Sequence, residues 1–384
     1  MSQSPPPSQS KGVPLFELAT QWQAIRNEVE AAVKEVFESQ NYVSGAVSGP
    51  FVGRFEEHLG QQLSAQVIAL SSGTDAILAA LMALGIGHAH GGHDEVITTP
   101  FTFFATAGCI SRVGARPVFV DIDPDTFLLN ESAAAAAVTP KTKAIVPVHL
   151  FGQIGDTEKL RVIARQHHLR IVEDAAQAIG ARDVHGKQIA ENADCACLSF
   201  YPTKNLGAAG DAGALVTRDP ALAKRFLQTR QHGEVSRYHH EFVGGNFRMD
   251  AIQAAVLDVK LRHLGRWNAQ RQHIAAFYTA AFAGTDVVAP RILPGATHVF
   301  HQYVIRAPRR DALREHLMKN NIGCNIYYPK PLHAQACFAD LGYSKGSFPV
   351  AEKAAEEVLA LPIFPELTEA QLARVTDAVL SFYR

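Results

Sequence analysis

Short apolar runs rich in β-formers recur along the chain at residues 66–71, 95–99, 117–122, 143–149, 170–174, 195–200 and 213–217. Most of them are separated by helical patterns, as in Ala76–Leu84. Seven strands alternating with helices predict an α/β protein, with a three-layer α/β/α domain around a mostly parallel seven-stranded sheet. Beyond Gly245 the pattern changes. A long helix through Asp250–Leu264 and on to Ala281, a strand at Phe300–Ala307, a helix near Asp311–Asn320 and a last helix after Thr368 predict a smaller α+β domain. The expected organisation is a tail at 1–12, a large domain at 13–245 and a small C-terminal domain at 246–384.

Open sheets of this kind bind ligands beyond the carboxyl ends of their strands. Four segments with chemistry fall at such ends. In Ser199-Phe200-Tyr201-Pro202-Thr203-Lys204-Asn205-Leu206-Gly207 a lysine stands where a strand stops, followed by Gly207, Gly210 and Gly213. A desolvated lysine has a lowered pKa and a free amine able to form a Schiff base with a carbonyl; taken alone, it reads first as a surface lysine in a glycine turn. Ser72-Gly73-Thr74 opens a helix after an apolar run, so its free N–H groups suit a phosphate or simply form an ordinary cap. Phe103, in Thr102-Phe103-Phe104-Ala105-Thr106, could stack on a planar ring or belong to the core. Asp174, ending the strand Ile171-Val172-Glu173-Asp174, needs a cationic partner if buried. A protonated pyridine nitrogen is one.

Together, S-G-T-D-A, T-F-F-A-T, E-D-A-A-Q-A and S-F-x-x-T-K-N-L-G-A-A-G resemble the DegT/DnrJ/StrS family of pyridoxal-phosphate sugar aminotransferases, fold-type I enzymes that aminate nucleotide-linked keto-sugars. The resemblance continues through V-H-L-F-G-Q at 148–153, G-G-N-F-R-M-D-A-I-Q at 244–253 and L-P-I-F-P-E-L at 361–367. It implies that pyridoxal 5'-phosphate is held covalently by Lys204, whose amine later serves as the base. It further implies that Asp174 pairs with the ring nitrogen, Phe103 stacks on the ring, and Gln177 bonds its phenolic oxygen. Gly73, Thr74 and Ser199 would bind the phosphate. In the family the asparagine matching Asn246 reaches the neighbouring subunit's phosphate and the arginine matching Arg248 serves the substrate, which implies a homodimer with shared active sites. Tyr238, in the loop before them, would touch the substrate.

The same resemblance places Tyr327 and Tyr328 against the sugar. Many relatives carry His-Tyr-Pro there; Tyr327 replaces that histidine, which changes a hydrogen bond that bears on the position aminated. The T-F-F-A-T-A-G segment is most similar to members that aminate C3, for instance of UDP-2-acetamido-2-deoxy-3-oxo-glucuronate, whose carboxylate would suit Arg248 or Arg237. A dTDP-linked 3- or 4-keto-6-deoxyhexose, or a role as a cofactor-binding regulator, stays open, and glutamate is the expected donor. Related sugar dehydratases typically carry histidine where Lys204 stands, and no paired-arginine signature of amino-acid aminotransferases is present.

Composition adds exclusions. With 47% hydrophobic residues and a net charge of −1, the 384-residue chain has no basic footprint for nucleic acid. No apolar run approaches the roughly 20 residues of a membrane helix. Met1–Lys11, polar and proline-rich, reads as a disordered tail rather than a signal peptide. Five cysteines, an odd number, point to a reducing compartment, hence the cytoplasm; the alternation in Cys195-x-Cys197 turns both thiols to one buried side. His88, His90 and His93 match no closed zinc set and read as an exposed insertion, so no metal is expected. Gly85-x-Gly87 does not open a helix after a strand and carries no dinucleotide fingerprint.

Overall fold

The computed structural model describes residues 12–43, 48–87, 91 and 93–384. The expected tail up to residue 11, and His88 and His90, lie outside the described residues; His93 is exposed. The seven apolar runs become β1 (Gln66–Leu70), β2 (Glu95–Thr98), β3 (Arg116–Phe119), β4 (Thr142–Ile145), β5 (Arg170–Asp174), β6 (Cys195–Ser199) and β7 (Gly213–Thr217) of a single sheet ordered β1-β7-β6-β5-β4-β2-β3. Only β7 runs antiparallel to its neighbours. The expected α/β fold with a mostly parallel sheet is therefore present. β7 is buried along its whole length and β5 and β6 nearly so, because helices cover both faces of a sheet of this type.

The covering helices form two cores. On one face α2 (Pro50–Leu63) and the helix Ala251–Leu261 bury Phe55, Leu59 and Leu257 against Phe200 and Val216. On the other, α3 (Gly73–Ala83) and the helix Pro220–Arg230 bury Leu78 and Phe226 against Leu215, Cys195 and Cys197. Neither α1 (Ala19–Ser39) nor α2 was among the expected elements. Yet α2 carries the signals of one: proline at its first position, and Phe51, Val52, Phe55, Leu59 and Leu63 on a single buried face.

Several expected elements are shorter than their apolar runs. The run 143–149 is a strand only to Ile145, because Pro147 has no N–H for the ladder. There the chain turns, with the Asp174 N–H bonded to the Pro147 carbonyl and the His149 N–H to the Asp174 carbonyl. The long helix expected over 250–281 breaks at Arg262 and His263 into Ala251–Leu261 and Leu264–Phe282. Its halves bury against different cores, the first under the sheet and the second with Tyr303, Leu313, Leu359 and Val375. In that C-terminal core the expected strand, Tyr303–Arg306, pairs antiparallel with an unexpected one, Val358–Leu361. Ala251–Leu261 packs back across the expected boundary at 245/246 onto the sheet, and Val13 packs into the C-terminal core. Among the described residues no helix is long and apolar enough to cross a membrane.

Candidate active site

At the carboxyl ends of β1, β2, β5 and β6 lies a cavity of about 760 Å³. Gly73, Thr74, Phe103, Asp174, Gln177, Ser199, Lys204, Tyr327 and Tyr328 all line it, so the structure brings most of the expected site residues together. All but Tyr327 and Tyr328, which come from the C-terminal part of the chain, arrive by short connections out of the sheet. Ser72 caps α3 by accepting from the Asp75 N–H at 3.0 Å, which leaves the first N–H groups of the helix, those of Gly73 and Thr74, without partners in their own helix. A Cβ at Gly73 would stand 2.5 Å from the Ser199 Cβ, so only glycine lets this helix start sit against the end of β6. The Asp75 carboxylate, which would repel an anion, is engaged by the Ser71 and Ser72 hydroxyls at 2.7 and 2.9 Å.

Lys204 sits in a tight loop after β6. A Cβ at Gly207 would meet the Pro202 carbonyl oxygen at 2.2 Å, and the Ala208 N–H closes the loop on the Phe200 carbonyl at 2.7 Å. The Asn205 amide donates to Asn268 at 2.8 Å and to the Val299 carbonyl at 2.9 Å, and Lys260 Nζ donates to the Gly207 carbonyl at 2.6 Å. No local motif marks these anchors, because their partners lie 53 to 94 residues away. Burial lowers the Lys204 pKa to about 8, and the Asp174 charge offsets part of that fall.

Asp174 is 6% exposed. Its oxygens accept from the Thr106 hydroxyl at 2.7 Å and the Ala176 N–H at 3.2 Å, both neutral donors. Across the cavity, the Gln177 carbonyl oxygen accepts from the Phe151 N–H at 2.6 Å, which turns the amide nitrogen toward the Tyr328 hydroxyl at 3.3 Å. Burial pushes the Tyr328 hydroxyl up, so it stays protonated. Phe103 stands 57% exposed with its ring 6.5 Å from that of Tyr328. His301, which the sequence reading missed, also lines the cavity. Burial first, then the Lys204 and Arg271 charges, hold its pKa well below the usual range, so its imidazole is neutral.

Three expected residues lie elsewhere. Asn246 bridges Gln231, and Arg248 bridges Leu70 at the end of β1. Arg248 and Tyr238 line a separate, open surface cavity with Gln231, Glu234 and Val243. Tyr238 projects from a two-stranded hairpin, Glu234–Ser236 with His239–His240.

Pyridoxal phosphate suits what the larger cavity contains. The glycine-cleared helix start offers N–H groups to a phosphate, and the exposed Phe103 ring offers a stacking face. The buried Asp174 carboxylate supplies a counter-charge, and Lys204 an amine already easy to deprotonate.

Comparison with known proteins is consistent with this cofactor. The model of the DegT/DnrJ/EryC1/StrS aminotransferase family matches residues 23–380. A pleiotropic regulatory protein of Geobacillus stearothermophilus is 47% identical over 97% of this chain and 99% of its own. The UDP-N-acetyl-3-dehydro-alpha-D-glucosamine 3-aminotransferase of Acidithiobacillus ferrooxidans is 39% identical over 97% of this chain and 98% of its own. The crystal structure of S. venezuelae DesV in complex with a ketimine intermediate superposes with a TM-score of 0.92 at 40% identity, covering 97% of this chain and 98% of that one.

Proposed function

The chain belongs to the DegT/DnrJ/EryC1/StrS aminotransferase family and is a pyridoxal-phosphate-dependent aminotransferase; we propose that it aminates C3 of a nucleotide-linked 3-keto-sugar, with glutamate as donor. One observation carries the reading: a single cavity gathers a buried amine, a buried carboxylate, a helix start and an aromatic face. Position 3 and the UDP group draw support from the name of the Acidithiobacillus relative. The sugar we favour is UDP-2-acetamido-2-deoxy-3-oxo-glucuronate or its uncharged 3-dehydro-glucosamine counterpart. The two differ in a carboxylate that Arg248 or Arg237 would face.

When bound, the cofactor supplies an aldehyde to capture the donor's amine and a ring to take up the electron pair left as the donor's α-proton departs. In this reading Gly73, Thr74 and Ser199 hold the phosphate, and Phe103 fixes the plane of the ring. Asp174 keeps a proton on the ring nitrogen. The Gln177 amide nitrogen, oriented by Phe151, donates toward the ring's phenolic oxygen. Lys204 Nζ would take the donor's α-proton and deliver it to the cofactor carbon that carried the aldehyde, a task suited to an amine with a pKa of about 8. Tyr327 and Tyr328 position the sugar.

We further propose a cytoplasmic homodimer. Tyr238 is 77% exposed and Val243 86%, side chains of a kind that a partner commonly covers. With Asn246 and Arg248 beside them, they would complete a second copy's site. A cofactor-binding regulator is the second reading, favoured by the name of the Geobacillus relative. A panel of UDP- and dTDP-linked 3-keto and 4-keto sugars decides between them. Glutamate should bleach the visible absorbance of the holoprotein and a 3-keto-sugar restore it, with the amine placed at C3 by mass and NMR. Bound cofactor that no donor bleaches would establish the regulatory reading instead.

A further inference from the structure

Thr106 lies at the start of α4 (Ala105–Arg112), three residues after Phe103. It is 0% exposed, and its hydroxyl donates to Asp174 Oδ2 at 2.7 Å. Thr102, also buried, has its Oγ1 3.2 Å from Thr106 Oγ1. A hydroxyl has one proton. The other acceptor within reach of Thr106, the Phe103 carbonyl, is neutral and farther at 3.3 Å, so the charged carboxylate takes that proton. The Thr106 oxygen is then free to accept from Thr102, and the hydrogen bonds run Thr102 to Thr106 to Asp174. Both threonines flank the loop that carries Phe103.

We infer that Thr106 is a positioning residue, whose hydroxyl holds the Asp174 carboxylate aimed at the ring nitrogen while Thr102 fixes the direction of that hydroxyl. The inference rests on the role proposed above for Asp174. A carboxylate that accepts hydrogen bonds is a weaker base, so the proton shared between Asp174 and the ring nitrogen stays on the ring. Without the Thr106 hydroxyl the carboxylate would hold more of that proton. The holoprotein's visible band would then change at higher pH.

The test uses Thr106→Val, which keeps the shape and loses the hydroxyl, Thr106→Ser, which keeps the hydroxyl, Thr102→Val and Asp174→Asn. Two readouts need no turnover: cofactor affinity of the apoprotein, by fluorescence titration with pyridoxal phosphate, and the pH midpoint of the holoprotein's visible band. Thr106→Val should weaken cofactor binding about tenfold, raise the midpoint, and lower kcat with KM for both substrates nearly unchanged. Thr106→Ser should stay within about twofold of the parent, and Thr102→Val should move the midpoint the same way by less. Unchanged affinity and midpoint in Thr106→Val, while Asp174→Asn loses both, would overturn this inference alone; so would a serine variant that behaves like valine. If Asp174→Asn itself leaves both readouts at parental values, the assignment of Asp174 is wrong and the inference falls with it.

Discussion

The cavity at the strand ends and the hairpin around Tyr238 hold expected site residues in very different states. In the cavity each group has its setting within the chain: Asp174 is held by Thr106 and Ala176, Gln177 by Phe151, and the Lys204 loop by Asn205 and Lys260. Around the hairpin, Tyr238 and Val243 project outward, and Arg248 lines an open depression. The first region is organised to bind by itself. The second has the character of a surface organised by something else, which in our reading is a second copy of the chain.

The comparison breaks most sharply at Lys204. Lys204→Ala should lower kcat by about 10⁴-fold, and borohydride reduction of the parent holoprotein should leave the cofactor on position 204 in peptide maps. A label elsewhere would move the active site out of this cavity. Next in size is Gly73→Val. Its side chain must displace Ser199, so cofactor affinity should fall on the order of 10- to 100-fold, while sedimentation shows the association state unchanged. A variant that changes association without touching affinity would reverse the roles assigned to the two regions.

The pH dependence of cofactor capture is smaller. Only the neutral Lys204 amine attacks an aldehyde, and burial brings its pKa down to about 8. The capture rate of the apoprotein should therefore rise roughly tenfold per pH unit up to about pH 8 and then level off. A rate still climbing toward pH 10 would mean that Lys204 is solvated like a surface lysine. Smallest is Tyr238→Ala. It should raise KM for the keto-sugar about fivefold, the equivalent of ~1 kcal/mol, and leave cofactor affinity alone. If cofactor affinity drops as it does for Gly73→Val, the two regions form one site within a single chain.

Much of the cavity was legible because its residues sit in short motifs at strand ends, where a lysine, an aspartate and a Ser-Gly-Thr helix start each carry a local meaning. Their supports were not. Thr106 lay inside a motif already singled out for Phe103, but nothing local shows that its hydroxyl meets a carboxylate 68 residues away. His301 comes from the C-terminal part of the chain and had no motif at all. The break at Arg262 and His263 was hidden because the apolar periodicity runs on while the core it faces changes.

What the sequence alone determined is the alternation of seven strands with helices and the kinds of chemical group at their ends, since periodicity and composition act between near neighbours. Only the tertiary structure decided that Lys204 loses its solvation, that Gln177 presents its nitrogen, and that Tyr238 and Arg248 lie apart from the cavity. Desolvation and hydrogen-bond pairing depend on what distant segments bring to a point, and no window of local sequence contains that information.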